Sequence, residues 1–327
     1  MLDPFLQLFD IRADYDLAIM KSDQDLYHVT IAVLLKIRDV LRIERPDVVI
    51  VQGDTTTTLA ASLAAYYEKI PIAHVEAGLR TREKYGPFPE EMNRRLVDHL
   101  ADWLFAPTER AAQNLHAEGL PQERIFVTGN PVVDTLHSLI EDERFCRTPL
   151  PIAIPKGRKL VLVTAHRRES FGEKLKSICQ AIRELAKRHN DVEIVYPVHL
   201  NPNVRELVFR TLRAVERVHL LEPLEYLPFL KLMERATLIL TDSGGVQEEA
   251  PTFGVPVLVL RETTERPEGL EAGVAKLVGP DPERIVEEAS RLLEDSAAYA
   301  RMTQAENPYG DGRAAERIVR VLKDALS

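Results

Sequence analysis

Short runs of β-branched residues alternate with longer helical stretches along almost the whole chain, a pattern that restricts it to parallel βαβ units. In the first half the strand candidates are residues 47–52 (DVVIVQ), 70–75 (IPIAHV), 103–106 (WLFA) and 124–128 (RIFVT), with helical stretches at 57–69, 89–100 and 109–118. Three prolines, Pro149, Pro151 and Pro155, then interrupt the pattern as a linker would. A second cycle follows, with strands at 159–164, 192–196, 218–221, 237–240 and 255–260 and helices at 174–189 and 281–293. Pro308, Gly310 and Gly312 break the chain again before an amphipathic helix at 314–326. A chain of 327 residues exceeds one ordinary core, so two α/β domains are expected, 1–150 and 151–311, followed by the helical segment 312–327.

Composition excludes several classes. No apolar run approaches the ~20 residues needed to cross a bilayer. Met1-Leu2-Asp3-Pro4 offers no basic start for a signal peptide, and Asp10, Asp14 and Asp16 follow. Two cysteines, Cys146 and Cys179, make neither a disulfide framework nor a metal cluster, which fits the cytoplasm. A net charge of −9 argues against nucleic acid, leaving a small anionic ligand if basic residues gather locally.

Parallel strands place ligands outside their carboxyl ends, so the residues just past each strand carry the most weight. Asp54 and Glu76 both follow strands; if those strands are neighbours, the two carboxylates emerge together and their pKa values are pushed apart, which suits proton transfer. The plainer alternatives are a helix N-cap for Asp54 and a structural ion pair for Glu76. Glu90 and Arg94, like Glu91 and Arg95, stand four apart behind Pro89, which by itself reads as surface pairing on a helix. His166-Arg167-Arg168 at a strand end can neutralise a departing phosphate, and His199 ends the next strand. Asp242-Ser243-Gly244-Gly245 runs from strand into helix: paired glycines admit an anion to backbone N–H groups, and Glu249, a turn further on, can accept from a ribose diol. Arg266 adds a cation after another strand.

The strings GDTTTTLA, HVEAGLRT, PEEMNRRLVDHLAD, HRRESFG, YPVHLNPNV, YLPF, TDSGGVQEEAP, TTERPE and NPYGDG, in this order, resemble the non-hydrolysing UDP-N-acetylglucosamine 2-epimerases. The resemblance implies two Rossmann-like parallel-sheet domains facing across a cleft, as in glycosyltransferases of the B type, with the last helix packing back on the first domain. It implies catalytic roles for Asp54, Glu76, Glu90 and His166. It also implies substrate contacts for Arg94, Phe229, Ser243, Gly244, Gly245, Glu249 and Arg266.

The implied reaction is reversible epimerisation of UDP-GlcNAc to UDP-ManNAc, by loss of UDP to a 2-acetamidoglucal and its readdition. The C2 proton, beside an N-acetyl group and no carbonyl, is lost only once departure of UDP makes C1 positive. No nicotinamide, no obligatory metal, no nucleic acid and no membrane is implied; the assembly implied is a homodimer. A hydrolysing epimerase releasing ManNAc and UDP, a glycosyltransferase, and an inactive nucleotide-sugar binder remain alternatives. One departure stands out. Family members open with a strand ending in Gly-Thr-Arg-Pro-Glu, then a helix and a second strand, whereas Met1-Leu2-Asp3 resembles the family's interior after that second strand. The expectation is a first domain lacking its first strand-helix-strand, its gap left open or filled by residues 2–11.

Overall fold

A computed structural model describes residues 3–21, 23–167 and 170–327. It forms two compact units, Met1–Asp134 with Tyr309–Ser327, and Thr135–Pro308. The boundary therefore precedes the proline cluster. The helix Glu143–Arg147 carries Phe145, which is buried, stacks on Phe253 and lies under the ammonium of Lys231, 3.9 Å from its ring centre. Those contacts commit the segment to the second unit before Pro149 is reached.

The first unit is built on four parallel strands, β1 (Val49–Gln52), β2 (Ile72–Val75), β3 (Trp103–Ala106) and β4 (Ile125–Val127), lying side by side in chain order. Helix starts are fixed locally: the Thr55 hydroxyl accepts from Thr58 N–H before helix Thr56–Tyr67, and that of Thr108 from Ala111 N–H before helix Glu109–Ala117. Helix Leu26–Glu44, which the sequence reading does not name, is capped by Asp25 and packs Val33 and Leu41 into this unit's core. The closing helix Ala314–Leu326 sets Ile318 and Leu322 against Ala73, Val75 and Phe105 on the opposite side. Its first amides, Ala314 and Ala315 N–H, donate to Asp134 at 3.0 and 2.8 Å. Residues 3–11 supply no replacement strand, Asp3–Leu8 being a helix with no buried residue; Leu2 lies outside the described residues. Six residues cannot both satisfy their backbone as a helix turn and join a ladder.

The second unit is a six-stranded parallel sheet of β5 (Lys159–Thr164), β6 (Val192–Pro197), β7 (Val218–Leu221), β8 (Leu238–Thr241), β9 (Val257–Val259) and β10 (Ala275–Leu277). Its order, β7-β6-β5-β8-β9-β10, is that of a Rossmann sheet, and the winding reverses between β5 and β8. β5 and β6 are buried on both faces and apolar along most of their length, as a sheet covered by helices on each side requires, the buried Glu193 of β6 being paired with His219. The last strand, β10, is absent from the sequence reading. Among the described residues no helix is long and apolar enough to cross a membrane.

Candidate active site

Two clusters of functional side chains form, one at the strand ends of each sheet. In the first unit Gln52 at the end of β1 is in register with Val75 at the end of β2, so Asp54 and Glu76 leave neighbouring strands at the same edge. Gly53 and Glu76 both take positive φ, +74° and +68°, and an ideal Cβ on Gly53 would lie 3.7 Å from Glu76 Oε2. Asp54 is not the helix cap; Thr55 is. Instead Asp54 Oδ2 pairs with Arg94 Nη2 at 2.8 Å, while its carbonyl accepts from Asn93 Nδ2 at 2.9 Å.

Helix Glu90–Leu100, which begins at Glu90, thus turns Asn93 and Arg94 toward the β1 turn. The expected i,i+4 pairings along it do not form. Arg94 reaches Asp54, Glu91 accepts from the backbone N–H groups of Thr81 and Arg82, and Arg95 reaches Glu118. Arg94 is buried; its Nη1 lies 3.8 Å from Glu91 Oε2, and neither Nη1 nor Nε makes a hydrogen bond. Glu90 is half-buried at the head of the helix.

Beneath this edge runs a buried polar chain that the sequence reading missed. His74, within β2, bonds Asp98 Oδ1 through Nδ1 at 2.6 Å and the Gly53 carbonyl through Nε2 at 2.9 Å. Both partners accept, so both ring nitrogens donate. Arg80 bridges Asp98 and Glu118 at 2.7 Å each. Burial would raise the Asp98 carboxyl, but His74 and Arg80 outweigh it and hold it below the usual range. A histidine inside an otherwise apolar four-residue strand was the available signal.

In the second unit the residues flank the β5/β8 crevice. His166 follows β5; its ring stacks on that of His199, 5.4 Å between centres and 11° from parallel. Burial lowers the His166 pKa, Asp242 raises it, and His199 and Arg167 lower it again; the net direction is down. Arg168 and Glu169 lie outside the described residues. After β8, Ser243 opens the short helix Gly244–Glu249. A Cβ on Gly244 would come within 2.7 Å of Arg266 Nη1, so a side chain there must displace that guanidinium; at Gly245 nothing lies within 4 Å. Glu249 is buried and accepts from the Tyr226 hydroxyl at 2.8 Å; burial, partly offset by that bond, lifts its pKa to about 7. Phe229 stands one turn beyond Tyr226 on the helix Tyr226–Arg235 and is half-buried. Arg266, expected as a further cation, is held by Glu248 at 2.5 Å and Glu265 at 2.8 Å, so much of its charge is neutralised within the protein. Burial would raise Glu265, but Arg266, Arg261 and Arg167 overcome it and set it at about 2.

A Rossmann sheet with a glycine turn at its crevice, joined to a second parallel-sheet unit bearing carboxylates at its strand ends, defines an α/β protein built to handle a nucleotide and move protons. The chain belongs to the UDP-N-acetylglucosamine 2-epimerase family, whose model matches residues 1–323. It is 53% identical to a probable UDP-N-acetylglucosamine 2-epimerase of Ralstonia nicotianae over 330 aligned positions, covering 99% of this chain and 88% of that protein. It is also 53% identical to the UDP-N-acetylglucosamine 2-epimerase of Escherichia coli K12, with the same coverage. The crystal structure of UDP-GlcNAc 2-epimerase from Neisseria meningitidis bound to UDP-GlcNAc superposes with a TM-score of 0.93 at 49% identity, covering 99% of this chain and 88% of that one.

Proposed function

We propose that the protein interconverts UDP-GlcNAc and UDP-ManNAc by inverting C2, without hydrolysing the nucleotide sugar. The observation that carries this reading is the pair Asp54 and Glu76 at adjacent strand ends in a chain of this family, with Glu90 on the helix that also supplies Arg94. In the proposed course a carboxylate takes the C2 proton as the C1–O bond to UDP breaks, the electron pair of that bond leaving with UDP and the C–H pair forming the glucal double bond. A second carboxylate returns a proton to the opposite face as UDP re-adds at C1. Arg167 supplies positive charge to the leaving diphosphate and His166 acts beside it as the active-site histidine, while Ser243, Gly244, Gly245 and Glu249 hold the nucleotide.

The protein is read as a cytoplasmic homodimer; both cysteines are free, in keeping with a reducing compartment, and light scattering on the purified chain tests the assembly. The chemistry is tested by following UDP-GlcNAc in deuterated water by NMR. UDP-ManNAc carrying deuterium at C2 is the expected product; product without that deuterium rules out elimination and readdition, and free ManNAc with UDP shows hydrolysis instead.

A further inference from the structure

The reversal of winding between β5 and β8 brings the residue after β8, Asp242, directly under the turn that follows β5. Asp242 is fully buried. One of its oxygens, Oδ2, accepts three bonds from that turn: His166 N–H at 2.9 Å, Arg167 N–H at 2.8 Å and the Ser170 hydroxyl at 3.2 Å. The other oxygen, Oδ1, is buried without a hydrogen-bond partner and lies 3.7 Å from His166 Nδ1. A carboxylate oxygen kept from water needs a donor, and a small rotation of the His166 ring, whose side chain is 40% exposed, supplies one.

We propose that Asp242 is the positioning residue for His166: Oδ2 fixes the turn that carries the ring, and Oδ1 takes the Nδ1 proton, leaving Nε2 to face the ligand. This rests on the reading of His166 as the active-site histidine. Four features act on the ring from the elements around it: burial, the flat contact with His199, the charge of Arg167 and the charge of Asp242. Of these only Asp242 favours the cation. An imidazolium held this way donates from Nε2 to the departing diphosphate with its other proton already bound. A neutral ring held this way has its lone pair on Nε2. In both states the same atom meets the substrate, which is what a turn-holding carboxylate alone would not secure.

The test reads the ring itself. Two-bond 1H–15N correlation of the labelled full chain, with the His166 signal assigned by its loss in His166→Asn, gives tautomer and titration across pH 5 to 9. In the wild type the neutral ring should be the Nδ1–H tautomer. Asp242→Asn keeps an oxygen for the three donors but offers Nδ1 an amide donor. It should switch the neutral ring to Nε2–H, move the His166 titration to lower pH, and shift the matching limb of the turnover profile the same way. Turnover should fall on the order of 10²-fold or more, as a mis-set tautomer dictates. Ser170→Ala loosens the turn from the Oδ2 side and should leave tautomer and titration in place. An Nε2–H tautomer in the wild type, or a folded Asp242→Asn whose His166 titrates unchanged, overturns the proposal; if Asp242→Asn does not fold, the wild-type tautomer alone decides it. Wild-type turnover in His166→Asn would instead overturn the role assigned to His166, a result separate from the tautomer.

Discussion

Glu249 is a carboxyl whose ordinary value near 4.5 is lifted to about 7 by burial, with only the Tyr226 hydroxyl to offset it. Ribose hydroxyls donate, and so bind its ionised form; binding below pH 7 must expel a proton. UDP affinity should therefore rise with pH by up to about tenfold per unit until pH 7 and then level, while Glu249→Gln binds more weakly and loses this component. Calorimetry in buffers of different ionisation enthalpy measures the proton released; none released at pH 6 sinks the assignment. The first-unit carboxylates should behave differently. Asp54→Asn and Glu90→Gln are expected to lower turnover about 10²-fold or more with UDP binding retained, as expected where a group moves protons and does not hold the nucleotide. Asp54, Glu76 and the glycine turn were legible because they obey one rule, that parallel strands deliver ligands at their carboxyl ends. Asp242 obeys the same rule, but its role depends on which strand lies beside β8, and sequence order does not reveal where a sheet reverses.

At the scale of elements, the apolar pattern placed three helix starts to within a residue, expected at 57, 109 and 281 and found at Thr56, Glu109 and Pro282, but not their caps: the candidate Asp54 gives way to Thr55. Helix Leu26–Glu44 was not, because its apolar residues fall on two faces. Val33 and Leu41 are buried while Tyr27, Ile31, Leu35 and Ile43 are exposed, so no single stripe marks it. β10, with three residues and one full burial, carries too little apolar pattern to be distinguished from a loop. A close junction between elements lies at Gly78, just past β2. There φ is +87°, and an ideal Cβ would sit 2.3 Å from the Ala111 carbonyl of helix Glu109–Ala117. Neither atom is a flexible side-chain end, so Gly78→Ala must move the helix or the turn. It should cost more than ~1 kcal/mol in urea unfolding. Because Glu76 is two residues upstream in the same turn, turnover should fall with it, and an unchanged midpoint and rate would show that the turn relaxes freely.

For the molecule as a whole, two buried carboxyls of the second unit act oppositely on stability. Glu265, depressed from 4.5 to about 2 by its arginines against the effect of burial, stabilises the fold fully above its unfolded pKa, by on the order of 3 kcal/mol, and this is lost as pH falls from 4.5 toward 2. Glu249, raised from 4.5 to about 7, does the reverse. Its burial as an ion costs on the order of 3 kcal/mol at pH 8, and the cost disappears as pH falls from 7 to 4.5. In the first unit Asp98 adds to the acid-side loss, since its depressed carboxyl must be protonated there. The unliganded protein should thus gain stability from pH 8 down to about 5 and lose it steeply below about 4.5. Glu249→Gln isolates the effect: it should melt higher than the parent at pH 8 and alongside it at pH 5, while a given UDP concentration raises the melting temperature of the parent more than that of the variant. A carboxylate that weakens the empty fold at working pH is then accounted for by the ligand it receives, in line with the general trade of stability for function. A Glu249→Gln variant melting below the parent at pH 8 would show that the charge supports the fold itself.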